Sequence, residues 1–289
     1  MACWLRVLLL SIKQTHHIQV QLPKESDTMT FFRLLWLNFR IGFMTELEYR
    51  SNFWVQIVQS VLSIASALGR LGVIFYHTAS LGGWSPDEML ALVGVYYIML
   101  GLINLVIQPS MQRIMNDVRK GTLDFALTKP EDTQLLVSVR QIEIWKLVDI
   151  TLGLAILVIA LRRLGESIGL AEASLFLVML LAGASIVYSF LLMLTTTCFW
   201  FVRVENVLVI FQSLYEAGRW PVGIYPSWLQ FALTSMVPIA FAVTVPAEAL
   251  TARLNGQTLL LALALSAALL LASRWFWTFG IKHYSGASA

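Results

Sequence analysis

Five stretches of this chain are long and apolar enough to cross a lipid bilayer as helices. A bilayer core of about 30 Å requires roughly 20 mostly apolar residues in helical conformation. The stretches run from about Asn52 to Tyr76, Met89 to Ile107, Leu147 to Leu161, Ser174 to Phe201 and Leu259 to Phe279. Arg70 interrupts the first stretch, and Pro109 follows the second. The pattern predicts an all-α membrane protein.

The composition argues against several other classes of protein. Hydrophobic residues make up 58% of the 289 residues and charged residues 13%, whereas soluble domains have about 25% charged residues. So few charges would not cover a water-facing globule, which argues against a soluble enzyme or a disordered chain. The net charge of +3 is too small to indicate a nucleic-acid partner, and Cys3 and Cys198 do not make a disulfide scaffold.

A sixth apolar region, between Asn206 and Leu250, is broken by polar residues, glycines and four of the eight prolines. Irregular backbone at membrane depth requires protein or a water-filled cavity to satisfy its polar groups. The region therefore predicts a spanning helix from about Val207 to Ala217, followed by a re-entrant segment over residues 221–250. This gives about six crossings, and a seventh full crossing is the alternative.

The distribution of Lys and Arg predicts the orientation. The loop from Met111 to Lys146 carries six basic residues, whereas Leu81–Glu88 carries none. Because short cytoplasmic loops are rich in Lys and Arg, we expect the basic loop and both termini to be cytoplasmic. The expected location is the cell inner (plasma) membrane.

The N-terminal region has two parts that differ in composition. Met29–Arg50 mixes aromatic and apolar residues with Arg33 and Arg40, which favours a helix lying in the interface over a plain lead-in to the first span. Met1–Thr28 is either an extension upstream of a true start at Met29, which we favour, or a disordered cytoplasmic tail. Residues 29–289 are expected to form a single transmembrane domain.

Residue patterns for catalysis are missing from the sequence. There is no phosphate-binding Gly-Lys loop, no nucleophile elbow and no zinc-binding helix motif. The four histidines are dispersed, which argues against a metal site. We therefore expect no catalytic residue, no metal and no cofactor on this chain.

Charged residues inside or beside the apolar stretches are candidates for a transport path or a buried pair. A charge at the centre of a bilayer costs about 2.5–3.5 kcal/mol on insertion scales. Arg70 and Glu216 lie deepest, and they either face the protein interior or extend toward the headgroups. We hypothesise that Glu216 is interior and paired with Arg219 or Arg70. The other candidates are Asp149, Glu205 and Glu248.

The basic loop contains signals for a short, positioned helix. Gly121 is expected to end one helix, Thr122 to cap the next and Pro130 to stop it. On that short helix Leu123 and Leu127 share one face at i,i+4, with Phe125 turned aside. The leucine pair is then expected to dock on a partner. The alternative is a simple loop that touches anionic lipid.

Several segments, taken in order, resemble permease subunits of ABC transporters of the ABC-2 type. They are Val118–Asp124 with Lys129–Pro130, Gly218–Pro226 followed by Val237–Pro238, Leu81–Ser85, and the ending Tyr284–Ser288. The resemblance covers about Met29 to Ala289.

The resemblance implies a permease that pairs with a second permease copy or paralogue and with separate ATP-binding subunits, which hold ATP and Mg. It also implies export and a coupling helix within about Asn116–Lys129. The implied coupling residues are Arg119, Lys120, Gly121, Leu123, Asp124 and Leu127. The implied re-entrant gate, at about Pro221–Pro246, involves Glu216, Arg219, Pro221, Pro226 and Pro238.

Two other functions compete with a transport subunit. An ATP-independent carrier or channel is the first, but carriers often have a matched pair of broken helices, and the sequence has a single broken region. A membrane-embedded enzyme acting on lipids is disfavoured because no acid–base or metal cluster is visible. The cargo is not encoded in any residue pattern that we recognise.

Overall fold

The computed structural model describes residues 36–40, 44, 50–129, 132–165, 169–201, 206–251 and 253–284. The regular elements in these ranges are helices, with an isolated β-bridge between Leu81 and Trp84. The predicted all-α membrane class is confirmed. Met1–Thr28 lies outside the described residues, and so does most of the predicted interfacial helix Met29–Arg50, of which residues 36–40 are helical.

We number ten helices within the described part of residues 50–284. They are α1 (Arg50–His77), α2 (Pro86–Lys120), α3 (Asp124–Leu127), α4 (Thr133–Ser138), α5 (Leu147–Leu164), α6 (Leu170–Thr196), α7 (Asn206–Tyr215), α8 (Ser227–Met236), α9 (Ile239–Leu250) and α10 (Gly256–Ile281). Short 3₁₀ turns precede α5 and follow α6 and α7.

Five of these helices, α1, α2, α5, α6 and α10, are long and apolar enough to span a bilayer. They correspond to the five predicted stretches. Helices α8 and α9 are bent by 70° at a short break, and they count as a sixth span only if the bent pair is one span.

The second span extends beyond its predicted end. The sequence places that end at Ile107, before Pro109, but α2 continues to Lys120. A π-helical turn at Ile103–Ile107 lies just before the proline, and Pro109 occupies the first turn of the segment that follows, where a missing N–H is tolerated. At about 1.5 Å per residue, α2 is longer than a bilayer core is thick, so it continues into the basic loop.

The predicted span Val207–Ala217 is also corrected. Helix α7 has ten residues, which at 1.5 Å per residue is about half of a bilayer core. A 3₁₀ turn follows it, and Pro221 begins another short turn. The segment then reaches the loop before α2, where a Cβ on Gly82 would overlap Ile224. Glycine and proline thus break the helix midway, and the crossing is completed in irregular structure.

Contacts at the two ends of the bundle show how the helices run relative to one another. Gly280 near the end of α10 packs on Thr196 at the end of α6. At the other end, Arg253, just before α10, forms an ion pair with Glu88 at the start of α2. Asn206 follows α6 closely in sequence, so the chain makes one net crossing between Asn206 and Arg253. The total of six predicted crossings is consistent with these contacts.

Helices α8 and α9, together called the hairpin, are a bent pair of the kind found in a broken span or a re-entrant loop. Helix α8 starts just after Ile224, beside the Gly82 loop, and α9 ends just before Arg253, at the same end of the bundle. At the bend between the two helices, the Ile239 side chain packs against Gly218, which lies just after α7. The residues that flank the hairpin, Ile224 and Arg253, thus both contact the segment Gly82–Glu88.

Helix α2 is the centre of the bundle, because all side chains from Ala91 to Met99 are buried. It packs most closely on α5, where backbone lies on backbone at two glycines. A Cβ on Gly94 would lie 3.0 Å from the carbonyl oxygen of Gly153, and a Cβ on Gly153 would lie 2.8 Å from the amide nitrogen of Ile98. Small residues let membrane helices approach in this way.

Substitution of Gly153 by alanine is expected to destabilise the protein. The added methyl group meets backbone atoms of α2, so the helices must separate, and overpacking of this kind costs about 1–3 kcal/mol. Gly69→Ala on α1 is the matched control, because a Cβ there meets nothing within 4 Å and alanine favours a helix by up to about 1 kcal/mol. Thermal unfolding in detergent should show a lower Tm for Gly153→Ala alone. Equal Tm values for the two variants would contradict this close contact.

Candidate partner-binding loop and transport cleft

The basic loop begins with a fixed turn at the end of α2. Gly121 adopts φ +67°, and its N–H donates to the carbonyls of Asp117 and Val118, so the predicted helix end is confirmed. The predicted capping role of Thr122 is wrong. Its hydroxyl donates to the Asp117 carboxylate at 2.9 Å, and Leu123 occupies the cap position of α3 instead.

A buried carboxylate, Asp117, holds the two ends of the loop together. Arg113 on the preceding turn lies 3.3 Å from it, and Arg140, just after α4, binds its other oxygen. The Asp117 side chain is 3% exposed, and a buried charge without such partners would be strongly destabilising. The start of the loop is therefore fixed to its end, and α3 and α4 lie between two anchored points.

Helix α3 presents a different face from the one that the sequence predicted. Leu123 is 0% exposed and Leu127 is half-buried against the protein's own core, whereas Phe125 is 72% exposed. The expectation that Leu123 and Leu127 fill a groove on a partner is therefore wrong. They do share one face, but this face anchors α3 to the bundle, since a four-residue helix is not stable alone.

The solvent-facing part of this segment is basic around one aromatic ring. Of the other predicted coupling residues, Arg119 and Lys120 are exposed, whereas Gly121 and Asp124 are half-buried. Lys129, just after α3, is exposed as well. We call Arg119, Lys120, Phe125 and Lys129 the loop tip. Phe125 is the large apolar side chain of the loop tip, and its exposure makes it available to a partner.

Helix α4 is tied to two membrane-spanning helices. Arg274 of α10 donates to both carboxylate oxygens of Asp132, at 2.8 Å to Oδ1, and to Gln134 Oε1 at 3.1 Å. Gln134 Nε2 donates to the Tyr188 hydroxyl of α6 at 3.2 Å, and that hydroxyl lies 2.7 Å from Ser138 Oγ. We call these five residues the α4 clamp. Asp132 also caps α4 by accepting from the Leu135 amide.

The sequence contained a signal for the clamp that the prediction missed. Arg274 lies inside the last apolar stretch, where a cation requires a partner. Asp132 lies three residues before the apolar run Leu135–Val137, and aspartate just before a helix is typical of a helix cap. Nothing in the sequence alone pairs these two residues, because they are 142 positions apart.

Two adjoining cavities form a cleft along α7. One, of about 190 Å³, lies between α2 and α7, and the other, of about 150 Å³, lies between α1, α2 and the turn after α7. Both are lined by Glu216 and Arg219. The first is also lined by Tyr96, Asn104, Gln108, Phe211, Gln212 and Tyr215, and the second by Ala67, Arg70, Val93 and Trp220, among others.

The walls of the cleft combine aromatic rings with a cation. Tyr96 and Tyr215 are stacked with their centroids 5.1 Å apart, and the Arg219 guanidinium lies 5.2 Å from the Tyr96 ring. Two polar atoms of the cleft lining, Arg219 Nε and Gln108 Oε1, are buried without a hydrogen-bond partner among the described residues. Unpaired buried polar atoms are costly, so they are groups that a bound polar molecule would stabilise.

The predicted buried pairing of Glu216 is not observed. Glu216 is exposed, and within the described residues no ion pair joins it to Arg219 or Arg70. Arg70 is exposed too, and it lines the smaller cavity with the other two. The structure thus brings these three predicted residues to one cavity without forming the predicted pair.

The remaining predicted charges have other positions. Asp149 is buried at the start of α5 and lies 3.5 Å from Lys146, so it is a local ion pair. Glu248 on α9 is half-buried. Glu205 lies outside the described residues.

The three predicted gate prolines each begin or interrupt an element. Pro221 is buried before the turn Val222–Ile224, and Pro226 is exposed at the start of α8. Pro238 is buried at the bend between α8 and α9. Proline lacks a backbone donor and fixes φ, which explains why the hairpin turns at these points.

The chain that follows α9 is fastened to the loop before α2. Arg253 Nε and Nη2 donate to the two carboxylate oxygens of Glu88, at 2.7 and 2.9 Å, and Nη2 also donates to the Gly83 carbonyl at 2.7 Å. The guanidinium lies 4.9 Å from the ring of Trp84. Glu88 is held in turn by a capping box with Ser85.

Comparison with known proteins is consistent with these features. Within the described residues, no group of three or more His, Cys, Asp or Glu side chains is arranged to hold a metal ion. A comparison with curated proteins found no match. Residues 61–288, which include α2 to α10 and most of α1, match the family described as ABC-2 family transporter protein. The chain is therefore a member of the ABC-2 transporter family and a multi-pass membrane permease of the ABC transporter kind.

Proposed function

We propose that this permease is an export subunit driven by a separate ATP-binding subunit that docks on the loop tip. Membrane components of this family are not themselves catalytic and generally work with an ATPase subunit. The observation that carries the proposal is Phe125, an exposed aromatic side chain on a short helix whose other face is buried.

The loop tip has the chemistry of a docking site. Aromatic and arginine side chains contribute much of the binding energy at protein interfaces, and polar groups around them form the rim. Phe125 would enter a pocket on the ATPase, while Arg119 and Lys120 would face acidic groups around that pocket. ATP and Mg would be bound by that subunit. The experiment that tests the proposal identifies the protein that contacts Phe125: an ATP-binding subunit is expected, and lipid alone contradicts it.

The connections of the loop would transmit movement to the spans. Asp117 joins Arg140, just after α4, to the end of α2, and the clamp joins α4 to α6 and α10 through Arg274 and Tyr188. An ATPase shifts a permease between two states only if it contacts them differently. Anchors to three spanning helices would let one docking event displace all three.

The cleft along α7 is our candidate for the transport route, and the hairpin is its re-entrant outer gate. Glu216 and Arg70 of the cleft lining are exposed in the single chain, and α1 exposes most of its side chains. A second permease copy or a paralogue facing the cleft would close it. Arg219, between Tyr96 and Glu216, would meet cargo there.

Removal of the Arg219 charge should impair transport more than assembly. In Arg219→Gln we expect transport by the intact complex to fall about tenfold, which corresponds to about 1.4 kcal/mol, with little change in expression or ATPase binding. Arg162→Gln is the matched control, because Arg162 is an exposed arginine of α5 outside the cleft. Substrate-stimulated ATP hydrolysis is the readout, and wild-type stimulation in Arg219→Gln would exclude this route.

We also propose that the loop tip and both termini face the cytoplasm from the plasma membrane. The support is the excess of basic residues on the loop. Thr128, Ser80 and Gln257 are all exposed, and Thr128 lies on the loop whereas the others lie at the opposite end of the bundle.

Cysteine labelling of intact cells tests this orientation. A cysteine at Thr128 should be protected from an impermeant reagent, while cysteines at Ser80 and Gln257 should react. The free thiol Cys198 is buried, and replacement of both Cys3 and Cys198 by serine removes any signal from the native cysteines. Labelling at Thr128 from outside the cell would contradict the proposal, because it would show that the loop tip faces the outside.

A further inference from the structure

Helix α1 is only loosely attached to the bundle. Four of its inner side chains, Ser60, Ile64, Ala67 and Leu71, are buried among those that the structure describes, and most of the others are exposed. Helices α2 and α5, in contrast, meet backbone to backbone. The outer half of α1 therefore leaves a groove between itself and that pair.

The groove has a volume of about 370 Å³, within the range of ligand pockets. Its walls are apolar and come from three helices: Leu68 and Phe75 of α1, Leu90 of α2, and Ile156 and Ile159 of α5. All three helices span the membrane, so the groove runs along the bundle within the bilayer. Apolar walls in this setting suit a hydrocarbon chain.

The mouth of the groove carries one cation and one anion. Arg163, near the end of α5, lies 4.0 Å from Asp87 at the start of α2, and their side chains are 66% and 36% exposed. At this distance and exposure they form a weak pair, so both groups remain available to a ligand. Their position is the end of the bundle opposite the loop tip, at the headgroup level of that leaflet.

We propose that this groove is a binding site for one zwitterionic phospholipid of the bilayer. An acyl chain lies against the apolar walls, the lipid phosphate accepts from Arg163, and the headgroup ammonium donates to Asp87. Both charges of the pair are matched by a phosphoethanolamine headgroup, whereas an anionic headgroup would match Arg163 alone and be repelled by Asp87. The site is independent of the proposed ATPase contact.

Gly72 offers a way to fill the groove without disturbing the helix. It lines the groove, and a Cβ added to it meets nothing within 4 Å. Gly72→Leu should therefore place a side chain in the space of the acyl chain. Gly69→Leu is the matched control on the same helix, because Gly69 also has open space but does not line the groove.

The test is native mass spectrometry of the delipidated full chain, titrated with phosphatidylethanolamine, phosphatidylglycerol or diacylglycerol. We expect one phosphatidylethanolamine to bind the wild type at least tenfold more tightly than either other lipid. Gly72→Leu should lose that binding at least tenfold, and Gly69→Leu should keep it. Arg163→Gln should lose the preference for phosphatidylethanolamine over diacylglycerol, while Arg162→Gln should retain it.

Three results would overturn the proposal. The first is equal binding of the three lipids by the wild type. The second is unchanged binding in both Gly72→Leu and Arg163→Gln. The third is a Gly72→Leu chain that keeps its lipid but changes from dimer to monomer, which would make the groove an interface between copies.

Discussion

Phe125→Asp is expected to abolish binding of the ATPase while leaving the permease folded in the membrane. The side chain is exposed, so the substitution removes no contact within the chain, but it places a carboxylate where a partner pocket would receive a ring. Loss of a central interface residue costs at least about 2 kcal/mol, or roughly 30-fold in Kd. Pull-down of the ATPase and the amount of permease in the membrane are measured together.

Leu123→Asp should instead impair folding of the permease itself. Leu123 is fully buried, and an uncompensated charge in the core costs several kcal/mol. We therefore expect little folded permease to accumulate. Phe125→Trp, which keeps an aromatic ring, should bind the ATPase. If Phe125→Asp binds its ATPase normally, the loop tip is not the docking site.

Neutralisation of the clamp should uncouple ATP hydrolysis from transport without releasing the ATPase. In Asp132→Asn the side chain can still cap α4, because Asn is as good a cap as Asp, but the ion pair with Arg274 is lost. The pair is partly exposed and should contribute no more than about 1 kcal/mol to stability. Its expected effect on coupling is larger, because it joins α4 to α10. We predict at least a tenfold loss of transport per ATP hydrolysed.

The double-mutant cycle of Asp132→Asn and Arg274→Gln isolates the pair. If the residues act together, the double variant should be no more uncoupled than either single variant. Additive losses would show that the two side chains act separately. Loss of the ATPase itself from Asp132→Asn would place Asp132 at the docking site and not in transmission.

The pH dependence of the clamp follows from the same contacts. Hydrogen bonds from Arg274 hold the pKa of the Asp132 carboxyl below its ordinary value of 3.8. A lowered pKa in the folded state means that the contribution to stability is complete above that ordinary value. It is lost only as the pH falls through the lowered pKa, so the clamp remains charged at every physiological pH.

The membrane class and the five long spans could be predicted from the sequence because hydropathy and length determine them. Helix ends were less predictable. Pro109 indicated an end to the second span, but a π-helical turn before it allows α2 to continue to Lys120. Gly121 was predictable as a helix end, since glycine adopts positive φ without strain.

The sequence identified the segments that form the candidate site, but it did not identify which side chains in them face a partner or contact each other. The i,i+4 pattern correctly placed Leu123 and Leu127 on one face of α3, but periodicity does not say whether a face meets a partner or the protein's own core. Asp132 and Arg274 come from distant segments, so their contact depends on how α4 packs against α10. Glu216 and Arg219 were brought to one cavity as a consequence of the broken helix after α7.

Photo-cross-linking from position 125 identifies the molecule that contacts the loop tip. A photoreactive amino acid replaces Phe125 in the full chain within native membranes, and the same residue replaces Trp228, which is exposed on α8 of the hairpin, as the control. We expect position 125 to capture a subunit with a phosphate-binding loop, and position 228 not to capture it. Capture of lipid alone at position 125, or of the same ATPase equally at both positions, would contradict the proposal.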